Sequence, residues 1–112
     1  MKTDNYIKGR YLAEITRELM DDLTEYKYSH CEWRVSVYGR KKEEWNNLAT
    51  WACNNKLFHP NVRWMVQTPR LYNIYRNAGI PGINSFADLI RNIFEPLFAV
   101  TIDPSSNPNL HW

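Results

Sequence analysis

Residues 62–67, Val62-Arg63-Trp64-Met65-Val66-Gln67, alternate with period two, placing Val62, Trp64 and Val66 on one side and Arg63, Met65 and Gln67 on the other. That is the pattern of a strand with two different faces. Pro69 then ends it, because a proline cannot donate to a sheet ladder. The polar run Gln67, Thr68 and Arg70 therefore falls where the strand leaves the sheet, the place where α/β proteins carry their chemistry. Trp33-Arg34-Val35-Ser36-Val37-Tyr38 has the same design, broken by Gly39-Arg40 and followed by a helix-forming run. The chain twice reads strand, polar exit with an arginine, helix. The simplest architecture is a pair of right-handed βα units with parallel strands.

The remaining elements follow from spacing and caps. Thr3 or Asp4 offers an N-cap for a first helix running to about Lys27. Ile7, Tyr11, Ile15, Leu19 and Leu23, flanked by Leu12 and Tyr26, draw its apolar stripe, and Gly9 inside it costs about 1 kcal/mol against alanine. The opposite face is mixed in sign rather than basic, which fits a surface helix on a sheet and not a membrane helix. The first strand reads Ser29 to Tyr38, with Cys31, Trp33, Val35 and Val37 on the apolar side. The second helix starts near Lys41-Lys42-Glu43-Glu44, carries Trp45, Leu48, Ala49, Ala52 and Cys53, and ends about Asn54-Asn55. Trp45 and Trp51 read as packing residues, and Phe58-His59-Pro60-Asn61 as the turn into the second strand. Arg76 to Asn84, after Tyr75, reads as a loop. Ser85-Phe86-Ala87-Asp88 has the form of a capping box ahead of an apolar face of Phe86, Leu89, Ile90, Ile93, Phe94, Leu97 and Phe98. Pro96 should kink or interrupt that helix near Asn92 to Glu95. From Asp103 onward the composition is irregular.

Composition excludes several classes. A formal charge of +2 over 112 residues is too small to imply a polyanionic partner. Lys41 and Lys42 beside Arg40 make a solvated helix start rather than a nucleic-acid patch. No apolar run approaches the ~18 residues that a membrane span needs. Cys31 and Cys53 lack CxxC spacing, so no disulfide framework is expected and a reducing, cytoplasmic setting fits. Five tryptophans and seven tyrosines imply a substantial buried surface, or one meant to be buried against something outside the chain.

The strings Lys2-Thr3-Asp4-Asn5, Gly9-Arg10-Tyr11-Leu12-Ala13-Glu14-Ile15-Thr16, Tyr38-Gly39-Arg40, Gln67-Thr68-Pro69-Arg70-Leu71-Tyr72-Asn73-Ile74-Tyr75, Asn92-Ile93-Phe94-Glu95-Pro96-Leu97-Phe98 and Asp103-Pro104-Ser105-Ser106 stand in an order and spacing that resembles the AMP deaminase family. The resemblance covers essentially the whole chain. It implies a zinc-dependent (β/α)8 barrel, which typically needs ~250 residues. On that reading residues 1–112 form one partial domain of a TIM barrel: about two βα units, a preceding helix and a following kinked helix. One departure is Asn107, where the family usually has histidine.

Hydrolytic deamination of a purine needs a water activated by zinc and a carboxylate to move its proton to the leaving amine. In the resembled family the metal ligands and catalytic glutamate lie on either side of the part this chain matches. Zinc is thus the cofactor of the complete enzyme, with no metal ligand and no catalytic residue expected here. His30 and His59 fall at strand entries, opposite the active face, and His111 matches a family histidine with no assigned role. The resemblance leaves the barrel mouth as this segment's contribution. Arg40, Gln67 and Arg70 would line an anionic nucleotide pocket, since an arginine fork matches phosphate. Against that, Arg34 and Arg40 could be ordinary solvated or paired charges, and Arg70 could hold the strand-to-helix turn through carbonyls or a carboxylate.

The functional expectation is a segment of AMP deaminase, converting AMP to IMP and ammonia in purine nucleotide metabolism, and inactive as an isolated chain. The alternatives are a non-catalytic α/β interaction module or truncated paralogue, and a small nucleotide-binding protein using Arg40 and Arg70. Beyond AMP, the expected partners are the remainder of the barrel or a second copy, with neither nucleic acid nor membrane. Two strands expose two unpaired edges, which predicts poor solubility or self-association.

Overall fold

A computed structural model describes Thr3 and residues 5–111. In chain order it contains α1 (Arg10–Glu25), β1 (Cys31–Ser36), α2 (Glu43–Asn54), β2 (Val62–Gln67), α3 (Tyr72–Ala78), α4 (Phe86–Ile102), a 3-10 turn (Pro104–Ser106) and α5 (Pro108–His111). The fold is mixed α/β, as the alternating runs require. Cys31 N–H donates to Asn61 O at 2.8 Å and Val37 N–H to Gln67 O at 3.0 Å. The pairing advances equally along both strands, so β1 and β2 are parallel. Among the described residues they form a two-stranded sheet. No helix there is long and apolar enough to cross a membrane.

The chain divides into two compact units, Met1–Val35 with Asn47–Val66, and Ser36–Asn46 with Gln67–Trp112. The core of the first is Ala13, Met20, Trp51, Ala52, Leu57 and Val62, against which Leu12, Leu23, Trp33, Leu48 and Trp64 pack. Trp64 meets Trp33 and Trp51 edge to face, with centroids 5.7 and 6.1 Å apart. Such pairs contribute about 0.5–1.5 kcal/mol each beyond area burial. The alternating side of β1 and β2 that carries Val62, Trp33 and Trp64 faces this core, while Glu32, Arg34, Arg63, Met65 and Gln67 are exposed.

Helix α1 departs from expectation at its start and in its buried face. It begins at Arg10 rather than near residue 4, and Asp4 lies outside the described residues. Gly9 is the N-cap, with φ 66°, so no helix-interior penalty applies to it. The Trp51 indole N–H donates to Gly9 O at 3.1 Å, and a Cβ on Gly9 would stand 2.7 Å from Trp51 Nε1. Only glycine allows that approach. The buried residues are Ala13, Thr16 and Met20, whereas Tyr11, Leu19 and Tyr26 of the expected stripe are 57%, 49% and 63% exposed. The reason is geometric: at 3.6 residues per turn, four-residue steps drift about 40° each, and a long run of them winds off the core.

At the far end of α1, His59 Nδ1 accepts the Asn61 backbone N–H at 3.1 Å, which leaves its Nε2 as the protonated nitrogen. Nε2–H donates to Thr24 Oγ1 at 3.0 Å, and Thr24 donates onward to Met20 O at 3.2 Å. His59 is a structural bridge from helix to strand entry.

The second unit is built on Tyr75, Ile83, Leu89 and Ile93, with Leu71, Tyr72 and Ile80 beside them. Helix α3 continues to Ala78 and is closed by Gly79 in the left-handed region, so the loop begins there and not at Arg76. The capping box is present. Ser85 Oγ accepts the Asp88 N–H at 3.3 Å, and Asp88 Oδ2 accepts the N–H groups of Ser85 and Asn84 at 3.1 Å each. Those bonds hold the Asp88 carboxyl below its ordinary range, the Asn84 N–H contributing most.

Pro96 does not interrupt α4, which is continuous to Ile102. The ring removes the N–H that Asn92 O would have accepted. Burial of Leu89 and Ile93 before it and Val100 after it keeps the helix in register. Phe86, Phe94 and Phe98 of the expected apolar face are exposed, and the last two stack at 6.2 Å. The C-terminal stretch is more regular than its composition indicates: Asp103 Oδ1 accepts the Ser105 N–H at 3.1 Å, and Leu110 and His111 N–H close a turn on Asn107 O.

Candidate functional site

Register decides which residues share the exit end of the sheet. Val37 is bonded to Gln67 across the strands, so the chain leaves both strands at the same end, with Arg40 and Arg70 equally far beyond the pair. All of these residues belong to the second unit.

The exit of β1 is fixed residue by residue. Gly39 has φ 76° and lies against α4, where a Cβ would come within 2.7 Å of Leu89 Cδ1 and 2.8 Å of Ile93 Cγ1. Glu44, in the first turn of α2, accepts three successive backbone N–H groups, those of Tyr38 at 2.7 Å, Gly39 at 3.0 Å and Arg40 at 3.0 Å. Consecutive N–H groups turned to one point form an anion nest, here filled by the protein's own carboxylate. On the carbonyl side, Asn92 Nδ2 donates to Gly39 O at 2.9 Å and Arg40 O at 3.3 Å, and the Tyr75 hydroxyl donates to Tyr38 O at 3.2 Å. Trp45 anchors the start of α2 by donating its indole N–H to Ile93 O at 2.8 Å.

The Arg40 side chain emerges from this loop onto two aromatic faces, its Cζ 5.2 Å from the Tyr38 ring centroid and 5.5 Å from that of Tyr75. Both are within cation–π range. Tyr75 is buried, which pushes its phenol up from the ordinary value, while the neighbouring Arg40 guanidinium opposes the shift. The phenol therefore remains a donor at neutral pH. Arg40 itself is exposed and forms no ion pair with any described residue. Glu44 is taken up by backbone donors, and Glu95 by Lys42 at 2.8 Å.

Gln67 ends β2 on its exposed face, and Arg70 is exposed after Pro69. Neither side chain bonds to another described residue; the turn is held by Leu71 N–H donating to Pro69 O at 3.0 Å. Arg34 is likewise exposed without an ion pair among the described residues. The fold thus brings all three sequence-selected residues to one end of the sheet. It also adds Tyr38, Glu44, Tyr75 and Asn92, which sequence reasoning did not select. Tyr38 falls on the polar side of the first strand pattern, Glu44 in the run that opens the second helix, and nothing local marks Tyr75 or Asn92.

His30 and His111 are exposed, His59 is occupied as described, and no three His, Cys, Asp or Glu side chains converge among the described residues. The described residues therefore do not assemble a zinc ligand set.

The family model described as AMP deaminase matches residues 1–112. The AMP deaminase of Schizosaccharomyces pombe is 54% identical over 111 residues, covering 99% of this chain and 13% of the relative. That of Saccharomyces cerevisiae is also 54% identical, covering 99% and 14%. AMP deaminase 1 of Homo sapiens is 44% identical over 110 residues, covering 98% and 14%. The chain spans about 13–14% of the length of these relatives.

Proposed function

The chain belongs to the AMP deaminase family, and from that premise we propose that it serves as a nucleotide-recognising segment of an enzyme that hydrolyses AMP to IMP and ammonia. In this reading its two βα units are part of a (β/α)8 barrel in a soluble, cytoplasmic protein, and the zinc and catalytic acid–base groups come from outside these residues. The isolated chain is then inactive. Its own residues recognise the 5′-phosphate of AMP, with Arg40 as the principal donor and Gln67 and Arg70 at the same rim.

The observation that supports this most directly is the state of Arg40. A guanidinium clamped on two tyrosine rings is pre-oriented, and with the Glu44 carboxylate bonded to backbone N–H groups and no ion pair from Arg40 to any described residue, its fork is available to an external anion. A solvated surface arginine needs neither the rings nor the bonded loop beneath it.

The test places this chain in the corresponding 111 residues of the Schizosaccharomyces pombe relative. Arg40→Ala should lower kcat/KM for AMP by roughly 10- to 100-fold, the effect of losing a hydrogen bond to a charged group. Turnover of adenosine, which lacks the phosphate, should be unchanged. Equal losses on both substrates would end the phosphate reading. A second reading, a non-catalytic module that docks a partner or another copy, draws on the exposure of Phe98 (64%) and Ile102 (86%). Ammonia release by the assembled protein rejects that reading, and failure of the unsubstituted chimera to release any supports it.

A further inference from the structure

The three residues Tyr38, Gly39 and Arg40 offer three backbone N–H groups and three carbonyls, and side chains bond every one of them. The partners come from three separate helices: Glu44 of α2, Tyr75 of α3 and Asn92 of α4. Backbone groups outside regular structure must be satisfied somehow, but at a surface loop water does so without ordering any side chain. Tyr38 and Arg40 are exposed, so water has access. The loop is instead held from above and below by protein groups, and Glu44 faces the Arg40 backbone rather than pairing with its guanidinium.

We propose that Glu44 and Asn92 are positioning residues for Arg40, holding the Tyr38–Arg40 loop so that the guanidinium stays on the two tyrosine rings with its fork open to the substrate anion. This rests on the phosphate reading of Arg40 given above. Glu44 has a double effect: it fixes the loop through charge-assisted bonds to three N–H groups and, being saturated by them, does not neutralise the arginine. Asn92 does the matching work on the carbonyls. It is placed for this beside the turn of α4 that Pro96 deprives of a backbone donor.

Two measurements decide the proposal. The first is amide hydrogen exchange at residues 38–40 in the 112-residue chain. Glu44→Gln puts an amide nitrogen where Oε1 now accepts, and should release the Arg40 amide, while Asn92→Ala should loosen the same loop from its other side. Unchanged protection in both variants would overturn the positioning role whatever the ligand. The second is a double-mutant cycle in the chimeric enzyme. Either substitution should raise KM for AMP about tenfold, with kcat within about twofold, as loss of uniform binding predicts. In an Arg40→Ala background the same substitutions should add less than about twofold, because they act through that arginine. Additive effects would show that Glu44 and Asn92 act by another route and would refute the proposal. If Arg40→Ala alone leaves KM for AMP unchanged, the phosphate reading fails, and the exchange result still reports whether the loop is held as described.

Discussion

Gly39→Ala puts a side chain into a place where the structure leaves no room in two independent respects. The first is conformational: φ is 76°, and a left-handed backbone costs a non-glycine residue roughly 1–2 kcal/mol. The second is steric, because the new Cβ would lie 2.7 Å from Leu89 Cδ1, 2.8 Å from Ile93 Cγ1 and 3.0 Å from Ile93 Cδ1. Leu89 and Ile93 are 4% and 2% exposed, so neither can swing into solvent. Overpacking of this kind costs typically about 1–3 kcal/mol, and the two terms together come to roughly 2–5 kcal/mol. Gly79→Ala supplies the internal control, since Gly79 has φ 61° but nothing within 4 Å of its Cβ position. It should cost only the conformational term, about 1–2 kcal/mol. Equilibrium urea unfolding of the wild type and both variants reads the comparison as shifts in midpoint at constant slope. If Gly39→Ala falls within about 0.5 kcal/mol of Gly79→Ala, the neighbours yield freely and close packing of the β1 exit on α4 is not what fixes this glycine.

Further outcomes follow from other contacts. His59→Ala removes both the acceptor for Asn61 N–H and the donor to Thr24, and should cost about 1–3 kcal/mol with faster amide exchange at Asn61; unchanged exchange there would rule out the bridge. The Asp88 carboxyl is held below its ordinary value, so its support for the start of α4 is complete at pH values above 3.8 and is lost as pH falls through its folded-state value. Asp88→Asn should flatten that acid limb in a plot of stability against pH, and an unaltered limb would place the acid sensitivity elsewhere. The two strands each keep an unpaired edge among the described residues, so the isolated chain should show a mass that rises with concentration in sedimentation. A monomer with a sharp, concentration-independent unfolding transition would contradict this.

The candidate site was only half legible in the sequence. Arg40, Gln67 and Arg70 could be picked out because strand exits are marked by broken alternation, by glycine and by proline. What makes Arg40 distinctive is not marked at all. Glu44 looks like any acid at a helix start until three N–H groups are seen to converge on it. Asn92 lies far along the chain from the carbonyls it bonds.

The sequence by itself determined the elements whose signals are local. Period two set β1 and β2, helical spacing set α2, and Ser85 with Asp88 set the start of α4, because each depends on groups within a few residues of one another. Tertiary structure decided what depends on distant neighbours. Trp51 reaching Gly9 sets where α1 begins, and the core around Trp51 and Val62 selects Ala13, Thr16 and Met20 as its buried face. Burial on both sides of Pro96 carries α4 through a residue that locally argues for a break. Three helices meeting on Tyr38–Arg40 turn a loop of ordinary composition into a fixed mount for an arginine, since only packing can bring Glu44, Tyr75 and Asn92 to the same backbone.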